Sequence, residues 1–357
     1  MSELAPRRRG RSRLGRGADA HEVYAALDLG TNNCRLLVAR PLAEGFRVID
    51  AFSRIVRLGE GLGTSGRLSE AAMVRTLDAL KVCAAKMRRR GVTRVRAVAT
   101  EACRRAANCE AFLARVRHAT GIELEIISNG EEAHLAIYGC APLLDREISH
   151  ALVFDIGGGS TELGWMRVPR GSGAGGRIAE PEPRGWYSIP IGVVTLTERH
   201  GGHEVSPEVY EAMIEEVGAA IAPFEAEHRL GALVEAGRLQ MLGTSGTVTT
   251  LCGVHLRLPR YDRARVDGTY LDFATARQVS RRIAEMSYEA RVADPCIGPE
   301  RADLVIAGCA ILEALCGAWP IGRLRVADRG LREGILFMLM HGRHTAGTAP
   351  SERMRPA

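Results

Sequence analysis

Two short segments, each an apolar strand running into a loop of an acid, glycine and hydroxyl residues, constrain the fold more than any other feature. One is Asp155-Ile156-Gly157-Gly158-Gly159-Ser160-Thr161-Glu162, entered from Ala151-Leu152-Val153-Phe154; the other is Asp28-Leu29-Gly30-Thr31-Asn32-Asn33, entered from a similar apolar run. Consecutive glycines leave the backbone without Cβ atoms, so its N–H groups can converge on an anion, and Ser160 and Thr161 add hydroxyl donors. An aspartate at each strand end is placed to hold a cation against that anion. A plain hairpin turn needs one or two glycines and no flanking acids. The pattern therefore predicts two phosphate loops able to grip one phosphate chain from both sides.

The order of elements repeats around these loops. Strands are predicted over 23–29, 34–39 and 46–58, then a Ser69-capped helix to about residue 90, a strand over 95–99, a helix from about 104 to 120, a strand over 123–128 and a helix over 131–141. From residue 151 the plan restarts: strands over 151–155 and 162–168, a Gly/Pro-rich insert over 169–185, a strand over 186–190, and further helices and strands to about residue 340. This predicts an α/β fold with two similar domains, 22–144 and 145–341, and a ligand cleft between them. Residues 1–21 read as a disordered basic arm and 342–357 as a disordered tail. A third loop, Gly243-Thr244-Ser245-Gly246-Thr247, again follows an apolar strand and opens a helix whose N-terminus would add free N–H groups.

Charge first suggests nucleic acid: 48 Lys and Arg against 42 Asp and Glu give +6 and a pI near 9.0. Six arginines against Glu3 and Asp19 put +4 of that in the first 20 residues, leaving the rest at +2. No specific nucleic-acid partner is expected. Only Lys81 and Lys86 are lysines, and neither stands in the G-x-x-x-x-G-K-[ST] setting of a P-loop nucleotidase. Nine cysteines without a C-x-x-C pair argue against a disulfide framework or zinc ribbon and fit a reducing cytoplasm. No apolar run follows the N-terminal arginines, so no signal peptide is read, and the apolar stretch 304–322 carries Glu313 and Pro320, which suits a buried helix rather than a membrane span. The G-x-G-x-x-G matches at Gly61 and Gly171 lack the strand, helix and acidic partner of a dinucleotide site, and His200-Gly201-Gly202-His203 reads as a surface loop.

The ordered set of motifs resembles the exopolyphosphatase / guanosine pentaphosphate phosphohydrolase (Ppx/GppA) family. The match is carried by the Asp28 and Asp155 loops, Ala99-Thr100-Glu101-Ala102-Cys103-Arg104 with Asn108, Ile126-Ile127-Ser128-Asn129-Gly130-Glu131-Glu132-Ala133, the Gly243 loop, and Asp328-Arg329-Gly330-Leu331-Arg332-Glu333-Gly334. The resemblance implies duplicated ribonuclease H-like domains of the actin, sugar kinase and heat-shock ATPase superfamily. It implies Glu132 as general base on the attacking water, Arg104 on the substrate phosphates, and Glu162 beside them. Phosphate would be bound by Gly30, Thr31, Asn32, Asn33, Gly157, Gly158, Gly159, Ser160, Thr161, Gly243, Thr244, Ser245 and Gly246, and Mg²⁺ or another divalent cation by Asp28, Asp155 and Glu162. Arg329 and Arg332 could add positive potential. Expected substrates are inorganic polyphosphate or guanosine pentaphosphate, in a cytoplasmic protein with no membrane partner that could form a homodimer. Longer relatives continue into a helical HD-type domain, and this sequence is read as the short form. Two departures stand out: Asn33 where a second hydroxyl is common, and Gly-Thr-Ser-Gly where Gly-Thr-Gly-Gly is usual. A kinase of the same fold and a non-catalytic polyphosphate or alarmone sensor are the alternatives.

Overall fold

A computed structural model describes residues 22–42, 45–170 and 181–341. The arm, the tail and the second glycine motif at Gly171 lie outside the described residues. Eleven strands are described: β1 Tyr24–Leu29, β2 Asn33–Pro41, β3 Phe46–Ile55, β4 Arg94–Ala99, β5 Leu124–Ile126, β6 His150–Ile156, β7 Thr161–Arg167, β8 Glu182–Ile189, β9 Leu239–Thr244, β10 Tyr270–Asp272 and β11 Arg323–Ala327. They form two sheets, ordered β3-β2-β1-β4-β5 and β10-β11-β9-β6-β7-β8.

In each sheet three consecutive strands pair antiparallel and the first of them continues into parallel partners: β1 with β4 and then β5, and β6 with β9 and then β11. β10 is an antiparallel addition at the far edge. This is the duplicated ribonuclease H-like plan. The central strands β1 and β6 are buried along almost their whole length, as strands covered on both faces must be. Their apolar runs therefore end where the two halves meet, and both loops are delivered to one place.

The helices Asn129–Cys140 and Leu331–Met340 cross between the halves, and Leu331, Ile335 and Leu336 share a core with Tyr24, Ala26, Leu37 and Leu135 of the first sheet. The chain thus returns to its first half at the end. The crossing is very close: a Cβ on Gly139 would lie 1.9 Å from the carbonyl oxygen of Gly330. Ser128 caps the first of these helices by accepting from the Glu131 N–H at 3.2 Å, so Glu132 falls in its first turn.

The single helix expected over 104–120 is two, Glu101–Arg105 and Cys109–Thr120. The break has a local cause, because the Asn108 side chain both accepts from the Leu68 N–H at 2.8 Å and donates to the Leu68 carbonyl at 2.9 Å. The third strand stops at Ile55 rather than Leu58, since Val56 and Arg57 turn their N–H groups to the Asn32 carbonyl. The apolar stretch at 304–322 forms the buried helix Val305–Ala318, whose Glu313 accepts from Tyr210 at 2.7 Å. Among the described residues no helix is long and apolar enough to cross a membrane, and all nine cysteines are free and buried.

Candidate active site

The two loops meet in the cleft between the sheets. Gly158 is so near the first loop that a Cβ on it would lie 3.1 Å from the Cβ atoms of Thr31 and Asn32, and one on Gly159 would lie 2.9 Å from the Thr31 hydroxyl. Here the glycines serve contact between the halves as well as backbone exposure. The loop carbonyls are occupied elsewhere: Gly157 accepts from Val193, Gly158 from Val194, Thr31 from Gly59, and Asn32 from Val56 and Arg57. Carbonyls turned out of the way leave the peptide N–H side of each loop for an anion.

The cleft is lined by Asp28, Gly30–Asn33, Arg35, Glu101, Glu132, Asp155, Gly157–Ser160, Glu162, Ser245, Gly246 and Arg301, among others. Of the residues expected to bind phosphate, Thr161, Gly243 and Thr244 are not on this wall. Thr161 is fully buried and donates to the Ile191 carbonyl at 2.7 Å, and the Cβ position of Gly243 is filled by the Phe154 ring at 2.5 Å. Strand alternation turns such residues away from the face their neighbours line. Thr244 donates to the Arg329 carbonyl at 2.7 Å and faces a second chamber.

That chamber lies beyond Asp28, Asp155 and Gly246, between β3 and the ends of β9 and β11, and adds Tyr261, Arg263, Arg329 and Arg332. Arg329 is tied to Asp267 and Arg263 to Glu333 and Asp328. Arg35 and Arg301, which the motif reading passed over, face both spaces, with guanidinium atoms 3.8 Å from the Cβ position of Gly246. Burial lowers the Arg301 and Arg332 pKa values, and the Arg35 charge lowers them further. Cations gathered in this way favour an anion between them.

On the other side stands Glu132. Its side chain is 13% exposed, and its Oε2 lies 2.9 Å from Arg104 Nη2 without hydrogen-bond geometry, so that buried oxygen has no hydrogen-bond partner. Arg104 does not line the cleft wall. It sits one layer back, where Glu101 accepts at 3.0 Å and the Ile127 carbonyl at 2.8 Å. Burial, with the Glu162 charge adding to it, raises the Glu132 pKa well above the ordinary carboxylate range. Glu162, 3% exposed, accepts from Ser160 at 2.6 Å and Ser188 at 3.1 Å, and burial still pushes it up to about 7. Asp155 is raised to about 6, mainly by burial and then by Asp28, and Asp28 is itself raised by burial.

Crowded, desolvated acids of this kind fit a cation. Among the described residues no three His, Cys, Asp or Glu converge as a complete metal site. The Asn32 Oδ1 is, however, buried with no hydrogen-bond partner. A Mg²⁺-type ion leaning on one or two carboxylates, an amide oxygen and the substrate's own oxygens suits this donor set. The His200 and His203 pair is elsewhere: His200 bonds Glu216 at 2.6 Å and His203 stacks on Tyr288.

The third loop carries a strained residue. Ser245 has φ 130° and ψ 168°, a region ordinarily left to glycine, and its hydroxyl accepts from the Val248 N–H at 3.4 Å to cap the helix Gly246–His255.

Comparison with known proteins agrees with this geometry. Residues 37–343 match the model of the Ppx/GppA phosphatase family. The chain is 31% identical over 332 residues to Exopolyphosphatase 2 of Mycobacterium tuberculosis, covering 88% of this chain and 98% of that one. The Aquifex aeolicus PPX-GPPA enzyme superimposes with a TM-score of 0.71 at 29% identity, covering 88% of this chain and 98% of that chain. An exopolyphosphatase from Cytophaga hutchinsonii shares the fold, with a TM-score of 0.80 at 23% identity over 91% of this chain and all of that one. With two opposed glycine loops and a desolvated acid in one cleft, and a family match over most of its length, this chain belongs to the Ppx/GppA phosphatase family.

Proposed function

We propose that the protein hydrolyses terminal phosphoanhydride bonds, releasing orthophosphate from inorganic polyphosphate, with the 5′-γ-phosphate of guanosine pentaphosphate as a second substrate presenting the same bond. The observation that carries this reading is the position of Glu132, which lines the cleft but not the second chamber, while Arg35 and Arg301 line both. In-line phosphoryl transfer needs a nucleophile on one side of the phosphorus and a leaving oxygen on the other. In this reading water is activated on the Glu132 side and the shortened chain leaves on the arginine side.

The terminal phosphate would rest on the N–H groups of Thr31, Asn32 and Gly158–Ser160, while the Ser160 hydroxyl donates to Glu162 and fixes that carboxylate beside it. The Glu132 carboxylate would accept the water proton, its basicity raised by burial. Arg104 would keep that carboxylate aimed and offset its charge. When bound by Asp28, Asp155 or Glu162, Mg²⁺ would neutralise charge on the phosphate oxygens. Arg35 and Arg301 would receive the charge that develops on the leaving phosphate. The likeness to a mycobacterial exopolyphosphatase supports the polyphosphate assignment.

The test is orthophosphate release from polyphosphate of defined lengths and from guanosine pentaphosphate, with the wild type beside Glu132→Gln. The reading expects release from polyphosphate that collapses in the variant. Binding of either compound without turnover by the wild type would instead mark a sensor.

A further inference from the structure

We propose that Arg57 is a positioning residue that ties the first phosphate loop to the arginine-bearing turn of the opposite half. The backbone N–H of Arg57 donates to the Asn32 carbonyl at 3.0 Å, beside the Val56 N–H at 2.8 Å, and the Gly59 N–H donates to the Thr31 carbonyl at 2.9 Å. The 56–59 segment thus holds both carbonyls of the loop whose N–H groups face the cleft. The Arg57 guanidinium reaches across to the second half, 3.0 Å from Asp303 with a further contact to the Glu300 carbonyl at 3.5 Å. Between those two partners stands Arg301, which lines the cleft and donates to Thr250 at 2.6 Å. One residue therefore fixes a phosphate loop by its main chain and a phosphate-facing arginine by its side chain, on opposite walls.

Arg57 adopts φ 47°, the left-handed region, one of four non-glycine residues to do so among the described residues. Nothing about an arginine favours that conformation, which persists where surrounding contacts over-determine it. Arg75 adds to them by donating to the Val56 carbonyl at 3.1 Å, and a second bridge runs close by, from the Gly61 N–H to Glu198 at 3.1 Å. The segment is a strap between the two halves, and its Arg57 anchor sets how far apart the Thr31–Asn32 loop and Arg301 stand.

The kinetic part of the test rests on the proposed phosphohydrolase activity; the exchange part does not. Arg57→Ala and Asp303→Ala should each raise KM for polyphosphate about three- to fivefold, the effect of losing a half-exposed ion pair, with kcat changed less than about twofold. Hydrogen exchange of the peptide spanning residues 30–34 should accelerate in both. Arg57→Gly should raise KM equally while its thermal midpoint holds or rises, because glycine relaxes the backbone but removes the bridge. The exchanged pair, Arg57→Asp with Asp303→Arg, should recover both KM and exchange protection. Single variants with wild-type KM and wild-type exchange would overturn the proposal, as would an exchanged pair that folds but recovers neither. If the wild type releases no phosphate, the functional reading fails and the exchange data alone decide the strap.

Discussion

Arg35 and Glu162 occupy equivalent places in the two halves. Each lies directly across an antiparallel hairpin from an aspartate next to the end of a central strand, Arg35 from Asp28 and Glu162 from Asp155. The duplication thus places a cation at one position and an acid at its counterpart. This asymmetry gives the cleft a cationic side, where Arg35 stands with Arg301, and an acidic side, where the Glu162 charge acts on Glu132.

Replacing Glu132 with Gln keeps the shape and removes the proposed base. Phosphate release should fall by about 10²–10⁴-fold, the usual size of a general-base contribution. The thermal midpoint should not drop, because the substitution also removes a desolvated charge beside Glu162. Steady-state kinetics paired with a melting curve checks both parts, and an unaltered rate would remove Glu132 from the chemistry.

Acid should switch the enzyme off near neutrality. As the proposed base Glu132 acts only when ionised, and burial raises its pKa well above the ordinary carboxylate range, while that of its neighbour Glu162 is raised to about 7. The rate constant kcat/KM should therefore climb as pH rises through neutrality rather than levelling off near 5, where ordinary carboxylates are already ionised. A pH–rate profile flat from 5 to 8 would contradict the burial argument.

The same acids link stability to pH and to cations. Asp155 near 6 and Glu162 near 7 both lie above their unfolded values. The folded state therefore binds more protons between about pH 4 and 7, and stability is lost as pH rises through that window. Mg²⁺ should restore it where the acids are charged. Differential scanning fluorimetry should show a larger Mg²⁺-induced rise at pH 8 than at pH 5, and equal shifts would argue against binding at these carboxylates.

Glycine at position 245 should stabilise the protein. The Ser245 backbone strain is worth about 1–3 kcal/mol, whereas exchanging a serine cap for glycine costs a few tenths. Ser245→Gly should raise the thermal midpoint by about 2–4 °C. A lower midpoint would show that the hydroxyl holds more than the Val248 N–H.

Arg35→Ala should weaken the stabilisation given by added phosphate or pyrophosphate. In the free state Arg35 opposes the charges of Arg301 and Arg332 and offsets those of the buried Asp28 and Asp155; a bound anion adds an attraction to it. A phosphate titration followed by melting reads the effect. An unchanged response to phosphate would take Arg35 out of the anion site.

Much of the site was legible because strand ends and glycine loops are local features. Asp28, Asp155 and the glycines after them announce themselves by an apolar run, an acid and the loss of Cβ atoms, and the duplication says that the two loops face one another. Arg35 could have been found from the same signal, since it follows Asp28 by the seven residues that separate Glu162 from Asp155. Arg301 had no such marker, since only folding of the second half brings it to Gly246.

The sequence by itself determined the architecture, through the repeated order of strands and helices, and the make-up of the two cleft loops, through residues whose neighbours in the chain are their neighbours in space. Tertiary structure decided which hydroxyls face the cleft and which, like Thr161, turn into the core, and that Arg104 supports Glu132 from behind. It also decided that Glu162 lies near enough to raise the proton affinity of Glu132, and Asp155 that of Glu162, on top of burial. Desolvation and charge crowding depend on what packs around a group from distant parts of the chain, and no local pattern of residues encodes that.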